Sequence, residues 1–297
     1  MRQTRRVRHI HVIGIGSGDP DQLTLQAVKA LRATDVFFLL DKGERKTDLS
    51  GLRKGILDTH LPDPSAYRVV EARDPERARE SDGAAYSAAV DDWRTRRADI
   101  YARMITDELG EDGTGAFLVW GDPSLYDSTF GILEAVLARG GVEFTYDVVP
   151  GISSVSALAA RHRIGLNRVA RPVQITTGRL LAAGFPEGVD DVVVMLDAQQ
   201  AFRHHVPSGS EDGAEGGTEG GTDDRADGSG GDGGMDIYWG AYIGTPDEIL
   251  ISGPLAEAGP RIERVRAEAR ERKGWIMDTY LLRRNPDGEQ GRGDTGR

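Results

Sequence analysis

Cysteine is absent from the 297 residues, and with it go disulfides, thiolate zinc sites, iron–sulfur clusters and cysteine nucleophiles. Long apolar runs are missing too. No stretch approaches the roughly 20 consecutive apolar residues that a membrane span requires. Met1-Arg2-Gln3-Thr4-Arg5-Arg6-Val7-Arg8-His9 leads into a strand-like run rather than a signal peptide. A cytoplasmic enzyme without a membrane partner is the expectation. Positive charge is in deficit, with 37 Lys and Arg against 48 Asp and Glu and a formal charge of −11. A nucleic-acid binder needs a basic surface to neutralise phosphates, so that class is disfavoured. The 38% of hydrophobic residues suffices for one large domain or two modest ones.

The charge is unevenly spread. Between Pro207 and Gly234 the residues are almost all Gly, Asp, Glu, Ser and Thr, and eight acidic side chains against the single Arg225 give this segment −7 of the −11. So little apolar surface cannot offset the entropy of ordering, and 207–234 reads as a flexible surface insertion. The polar tail 285–297 reads the same way.

Strand and helix signals alternate through the first half. Ile10 to Ile15 is a β-rich run broken by Gly14, Gly16 and Gly18, and Asp21 to Ala33 reads as a helix. Val36 to Leu40 is a continuous apolar run, as in a strand buried on both faces of a parallel sheet, and Tyr67 to Val70 is a weaker strand. Apolar residues then recur with helical period at Tyr86, Ala89, Val90, Trp93, Ile100, Tyr101, Met104 and Ile105, within a helix from Ala85 to Leu109. Ala116 to Trp120 is a strand, Tyr126 to Ala138 a helix closed by Gly140-Gly141, and Val142 to Val149 a strand stopped by Pro150-Gly151. This rhythm predicts an α/β domain on a mainly parallel sheet. Further on, the strand candidates Val173 to Thr177, Val192 to Leu196, Ile237 to Ile243, Ile249 to Ser252 and Trp275 to Leu281 have few helices among them apart from Ala256 to Arg272. A second α/β domain on a mixed sheet is expected. The predicted division is 1–150 and 151–284, with a small-molecule cleft between the two.

Three turns carry the chemistry. Gly14-Ile15-Gly16-Ser17-Gly18-Asp19-Pro20 follows a strand and precedes a helix, like a dinucleotide-binding turn. The third glycine of that fingerprint falls on Asp19, however, and Pro20 suits a helix start. Asp41, ending the next strand, could imitate a ribose-binding carboxylate. On these features a nicotinamide site, a class I methyltransferase site and a plain structural turn all stay open. Val119-Trp120-Gly121-Asp122-Pro123-Ser124-Leu125-Tyr126-Asp127-Ser128 likewise runs from a buried strand into a helix, and Val149-Pro150-Gly151-Ile152-Ser153-Ser154 puts small hydroxyl residues at a helix start. One Gly-Asp-Pro turn is a good helix cap and nothing more. Two of them with a serine-rich third place backbone N–H groups and carboxylates where α/β sheets bind ligands, at the carboxyl ends of parallel strands.

In this order the three turns resemble the tetrapyrrole methylase superfamily. Thr176-Thr177-Gly178-Arg179, Val192 to Leu196 and Tyr242-Ile243-Gly244-Thr245-Pro246-Asp247-Glu248 continue the likeness, which covers Ile10 to Arg284. Within the superfamily, Asp35 to Gly43, Ala116 to Ser128 and Ile237 to Tyr242 look like the branch that methylates precorrin-5 at C1 and releases acetate in aerobic cobalamin synthesis. The resemblance implies two α/β domains with S-adenosyl-L-methionine folded between them, S-adenosyl-L-homocysteine as product, a tetrapyrrole substrate and a homodimer. Carried over residue by residue, the cofactor contacts fall on Gly121, Asp122, Pro123, Ile152, Ser153, Ser154, Leu196, Trp239 and Ser252, while Gly14, Gly16, Asp19 and Pro20 face the tetrapyrrole. Methylation of another precorrin is the alternative within the superfamily, and a nicotinamide-dependent dehydrogenase is the alternative from another class.

The implied deacetylation needs a base or a polarising donor. Asp127 is the first candidate, with Asp19 and Tyr126 beside it on the two cleft-facing turns, and Asp122 on the same turn as Tyr126. His162, between Arg161 and Arg163 late in a helix, reads as a dipole partner instead. The substrate's peripheral carboxylates call for cations, and Lys42, Arg45, Lys46, Arg161, Arg163, Arg168 and Arg179 lie in or beside the motif-bearing loops. His9, His11, His60, His162, His204 and His205 show no ligand spacing with carboxylates, so no metal is expected.

Overall fold

The computed structural model describes residues 7–41, 47–76, 83–206 and 234–285. The acidic insertion up to Gly233, the tail beyond Asn285 and the cation candidates Lys42, Arg45 and Lys46 lie outside the described residues. By its internal contacts the chain forms two compact units. One runs to Ala157 and takes in Tyr242–Glu248 and Arg270–Trp275; the other comprises Leu158–Ala241, Ile249–Ala269 and the residues from Ile276 on.

In the first unit β1 (Arg8–Gly14), β2 (Val36–Asp41), β3 (Arg68–Arg73), β4 (Thr114–Val119) and β5 (Phe144–Val149) make an all-parallel sheet in the order β3-β2-β4-β1-β5. Its helices are α1 (Leu25–Arg32), α2 (Thr47–His60), α3 (Gly83–Glu108) and α4 (Thr129–Arg139). On one face α1 and α2 bury Ala27, Leu31, Ile56 and Leu57 against Ile13, Phe37, Leu39 and Leu118. On the other, α3 and α4 bury Tyr101, Ile105, Ile132 and Leu133 against Ile10, Val12, Phe38 and Phe117. Successive residues of β2 and β4 feed opposite cores, which is why these two strands read as nearly unbroken apolar runs.

The strand order also locates a ligand end. β1 and β4 are neighbours, yet the chain leaves β1 for α1 on one face and leaves β4 for α4 on the other. Where adjacent parallel strands send their connections to opposite faces, a crevice opens at their carboxyl ends. The first two glycine turns occupy that point.

Two helices start later than the sequence suggests. The expected Asp21-to-Ala33 helix is a short 3-10 turn, Pro20–Gln22, followed by α1 from Leu25. Thr24 imposes the break, because its hydroxyl oxygen accepts the Ala27 N–H at 3.0 Å and so caps the helix at that residue. The helix expected from Tyr126 begins at Thr129. Tyr126 is held in the left-handed region, φ 54°, and the Asp127 carboxylate accepts the Thr129 N–H at 2.6 Å. Helix α2 is an addition to the sequence reading, since Gly51 and Gly55 dilute its apolar period.

The second unit carries a mixed sheet, as expected. β6 (Val173–Thr177), β7 (Asp191–Met195), β8 (Met235–Ala241), β9 (Ile249–Pro254) and β10 (Asp278–Arg284) lie in the order β6-β7-β10-β8-β9. Only β6 and β7 pair in parallel. The remaining helices are α5 (Ser154–His162), α6 (Gly178–Ala182) and α7 (Leu255–Lys273). β10 starts at Asp278 rather than at Trp275, because Trp275 belongs with the first unit. There its ring lies 5.0 Å from that of Tyr242 at 87°, and the Tyr242 hydroxyl donates to its carbonyl at 2.6 Å.

The tight packing of Gly151 predicts a sharp mutational contrast. A Cβ at Gly151 would fall on the Gly121 carbonyl oxygen and within 2.7 Å of Gly14 C, whereas one at Gly51 on α2 meets nothing within 4 Å. Gly151→Ala is expected to destabilise by about 3 kcal/mol or more, and Gly51→Ala to stabilise by roughly 0.5–1 kcal/mol. Urea melts of both variants check this.

Candidate functional site

Three main-chain segments meet at the carboxyl edge of the parallel sheet. Gly16 and Gly121, at φ 74° and 66°, exchange backbone hydrogen bonds of 3.3 and 2.7 Å. A side chain on Gly14 would stand 2.6 Å from Gly151 N and 2.8 Å from Pro123 Cδ. All three sequence turns are therefore in contact, and Gly14, Gly16, Gly121, Pro123 and Gly151 are brought together.

Asp122 ties the second turn to the third. One carboxylate oxygen accepts from the Ser124 N–H at 2.8 Å and from the Ser124 hydroxyl, and the other accepts the Gly151 N–H at 2.9 Å. Burial disfavours its charge, but the bonds from Ser124 and Gly151 outweigh that and hold its carboxyl below the ordinary carboxylate range. In the third turn the Ser153 Oγ accepts the Ser156 N–H at 3.2 Å and caps α5. Ser154 opens the helix, so the amides of this first turn have no intrahelical acceptor. Ile152 is left 37% exposed beside them.

Asp19 caps the Pro20–Gln22 turn, accepting the Asp21 N–H at 2.9 Å. Over it lies a segment from far along the chain. A Cβ on Gly18 would come 2.5 Å from Thr245 Cγ2, and one on Gly244 would come 3.0 Å from Asp19 N. This segment is internally hydrogen-bonded: the Gly244 N–H donates to Glu248 at 2.8 Å, and the Thr245 hydroxyl to the Tyr242 carbonyl at 2.8 Å. The 242–248 landmark thus sits on the first turn, a placement that its position in the sequence does not reveal. The arrangement also corrects the nicotinamide alternative. A dinucleotide turn feeds directly into a helix whose N-terminus receives the pyrophosphate, whereas here the helix starts only at Leu25 and backbone from two other turns fills the space at Gly14.

Tyr126 is 46% exposed at the end of the second turn. Partial burial pushes its phenol up, so at neutral pH it carries its proton and can donate. Asp127 is the next residue, its carboxylate already holding the Thr129 amide.

In the second unit Leu196 follows β7 in the left-handed region, φ 55°, with 67% of its surface exposed. Asp197 holds it there. This buried carboxylate accepts from Gln199 N–H at 3.1 Å, Ala201 N–H at 2.6 Å and the Tyr280 hydroxyl at 2.6 Å. Ser252 is exposed on β9, opposite Tyr238. The Trp239 side chain is core, which leaves its main chain for the cofactor contact expected at Trp239 or its neighbours. It is wholly buried, and its indole N–H donates at 3.0 Å to Asp278, which Arg266 holds at 2.7 Å. His162 Nε2 lies 3.1 Å from the Trp239 carbonyl, a structural role. Arg168 is engaged by Asp190 and Asp191, each at 3.4 Å.

His9 and His11 on β1 and Asp147 on β5 bring three ligand atoms within 4.8 Å of one another, with His11 Nδ1 2.6 Å from Asp147 Oδ1. The sequence spacing hides this group, because the carboxylate comes from a strand 136 residues further on. Among the described residues no helix is long and apolar enough to cross a membrane.

Fold and site together define an α/β protein whose small-molecule end lies at the switch point of a parallel sheet. Residues 9–259 match the family of tetrapyrrole (corrin/porphyrin) methylases, and the chain belongs to that family. A precorrin-6A synthase [deacetylating] of a Sinorhizobium species is 48% identical over 281 residues, 95% of this chain and 97% of that protein. A precorrin-2 C(20)-methyltransferase of Sinorhizobium is 31% identical over 145 residues, 48% of this chain and 54% of that one. Among solved structures, a cobalamin synthesis related protein (CobF) of Corynebacterium diphtheriae has a TM-score of 0.73 at 34% identity, covering 94% of this chain and 99% of its own.

The depressed Asp122 carboxyl carries a pH signature. A group whose folded pKa is lowered adds stability above its unfolded value of about 3.9 and loses it as pH falls through the folded value. The melting temperature of Asp122→Asn should lie furthest below that of the parent at neutral pH. The gap should close below about pH 4, which acid-range thermal melts measure.

Proposed function

We propose that the protein transfers the methyl group of S-adenosyl-L-methionine to C1 of precorrin-5 and releases the C1 acetyl group as acetate, giving precorrin-6A. The observation that carries this is the 48% identity to a deacetylating precorrin-6A synthase along 95% of the chain. The match to a precorrin-2 methyltransferase weakens to 31% over about half of it.

Bound S-adenosyl-L-methionine supplies a methyl group on a positively charged sulfur, already a good leaving group. The chain's part is to align and shield. The first-turn amides of α5 at Ser154 suit the carboxylate of the methionyl part. Gly121, Asp122 and Pro123 set the wall of the turn, and the exposed side chain of Ile152 beside it offers apolar surface for the adenine. Leu196, Trp239 and Ser252 are the cofactor candidates that fall in the second unit. Asp122 acts here by positioning, since its oxygens hold Ser124 and Gly151. Gly14, Gly16, Asp19 and Pro20 form the tetrapyrrole side.

Acetate release requires water to add to the acetyl carbonyl. The bond between that carbon and C1 then breaks, acetate departs and the electron pair stays with the conjugated macrocycle. Tyr126, which keeps its proton at neutral pH, donates to the developing oxyanion, and Asp127 takes the proton of the attacking water, with Asp19 as the alternative acceptor.

Incubation with precorrin-5 and methyl-labelled S-adenosyl-L-methionine should give labelled corrinoid and free acetate in equal amounts. Methylation without acetate would remove the deacetylating step, and turnover of a different precorrin instead would move the protein to another branch of the family. Tyr126→Phe is expected to slow acetate release about a hundredfold while the affinity for S-adenosyl-L-homocysteine, measured by calorimetry, holds. Equal loss of both would make Tyr126 a binding residue.

A further inference from the structure

Two buried hydrogen-bond donors stand side by side in the first unit without an acceptor among the described residues. Arg53 on α2 places its Cζ 5.1 Å from the centroid of the Trp120 ring, at the end of β4. Among the described residues, neither Arg53 Nε nor Trp120 Nε1 has a hydrogen-bond partner. Folded chains rarely leave one such buried donor unmet, and here two are adjacent, one of them on a cation.

The surroundings sharpen the deficit. The neighbouring carboxylate of Asp74 is already committed to Arg97, at 2.8 and 3.4 Å. Asp127 gives its oxygen to the Thr129 amide. Burial pushes the Arg53 guanidinium down to about 10, with the Arg97 charge adding to the effect while Tyr101, Asp127 and Asp74 oppose it. Selection for stability alone would fill this place with an apolar side chain or a paired carboxylate. Arg53 and Trp120 are each half-buried as residues, while the two unmet nitrogens themselves carry almost no exposed surface.

Position supplies the purpose. Trp120 immediately precedes Gly121, at the switch point of the sheet. Helix α2 is also joined to the tetrapyrrole-side turn, where His60 Nε2 lies 3.0 Å from the Pro20 carbonyl. We propose that Arg53 and Trp120 form a subsite for one peripheral carboxylate of the substrate, the guanidinium binding one oxygen and the indole N–H the other. This rests on the tetrapyrrole reading above. Arg53 was not among the arginines that the motif-bearing loops single out, and it is the structure that picks it out.

The test combines affinity with stability. Arg53→Gln should raise KM for precorrin-5 about tenfold or more, as expected for loss of a charge-assisted hydrogen bond. The affinity for S-adenosyl-L-homocysteine should hold and the melting temperature should not fall, because a desolvated guanidinium with an unmet N–H has been removed. Trp120→Phe, which keeps the ring and deletes the N–H, should raise KM by a smaller factor, and Arg53→Lys should recover part of the loss. Unchanged KM with a lowered melting temperature in Arg53→Gln would overturn the proposal in favour of simple stacking on Trp120. Uroporphyrin I, a stable fluorescent polycarboxylate, separates this result from failure of the proposed reaction. If the parent fails to turn over precorrin-5 but binds uroporphyrin I at least tenfold more tightly than Arg53→Gln does, the subsite stands without that reaction. Equal binding by both, or binding by neither, removes the subsite.

Discussion

The close approach of three main-chain segments at Gly14, Gly121 and Gly151 is the constraint on which the functional end of the first unit depends. Backbone passes backbone at distances that leave no room for a Cβ. The Gly16–Gly121 hydrogen bonds then join the two loops that the sheet topology sends to opposite faces. A crevice at a switch point is a generic property of parallel α/β sheets. What this chain adds is a floor of glycine backbone that fixes where Asp122, Tyr126, Ile152 and Ser154 stand.

Carboxylates serve that floor as fasteners before they serve any chemistry. Asp122 binds the second turn to the third, and Asp197 does the corresponding work in the second unit by collecting two amides and the Tyr280 hydroxyl. Asp197 directly follows Leu196 and Asp122 lies on the same turn as Tyr126, two residues in the left-handed region whose large side chains are left exposed. Strained backbone and uncovered apolar surface are both unfavourable taken alone. Each is found in a loop that follows a strand, β4 or β7, and each loop is held by hydrogen bonds to its own carboxylate.

Much of this was readable along the chain. The apolar runs of β2 and β4 announced strands buried on both faces, the helical period announced α3, and the sparse helices of the second half announced a mixed sheet. The three turns were recognisable in order, and they are in contact. The errors have local causes. Thr24 and Asp127 each offer an oxygen that caps a helix later than the apolar period begins, and periodicity does not weigh a cap against a period. The direction of the Trp239 ring, toward Asp278, is likewise not written in an aromatic at a strand position.

The sequence alone determined the order and type of most elements and the identity of the turns, because helical and strand periods are properties of neighbouring residues. Only the tertiary structure decided that the 242–248 segment lies on the Asp19 turn, that His9, His11 and Asp147 converge, and that Arg53 on α2 and Trp120 after β4 stand together with no acceptor among the described residues. Whether a donor is satisfied depends on what the fold brings to it from distant parts of the chain, and no local pattern of residues contains that information.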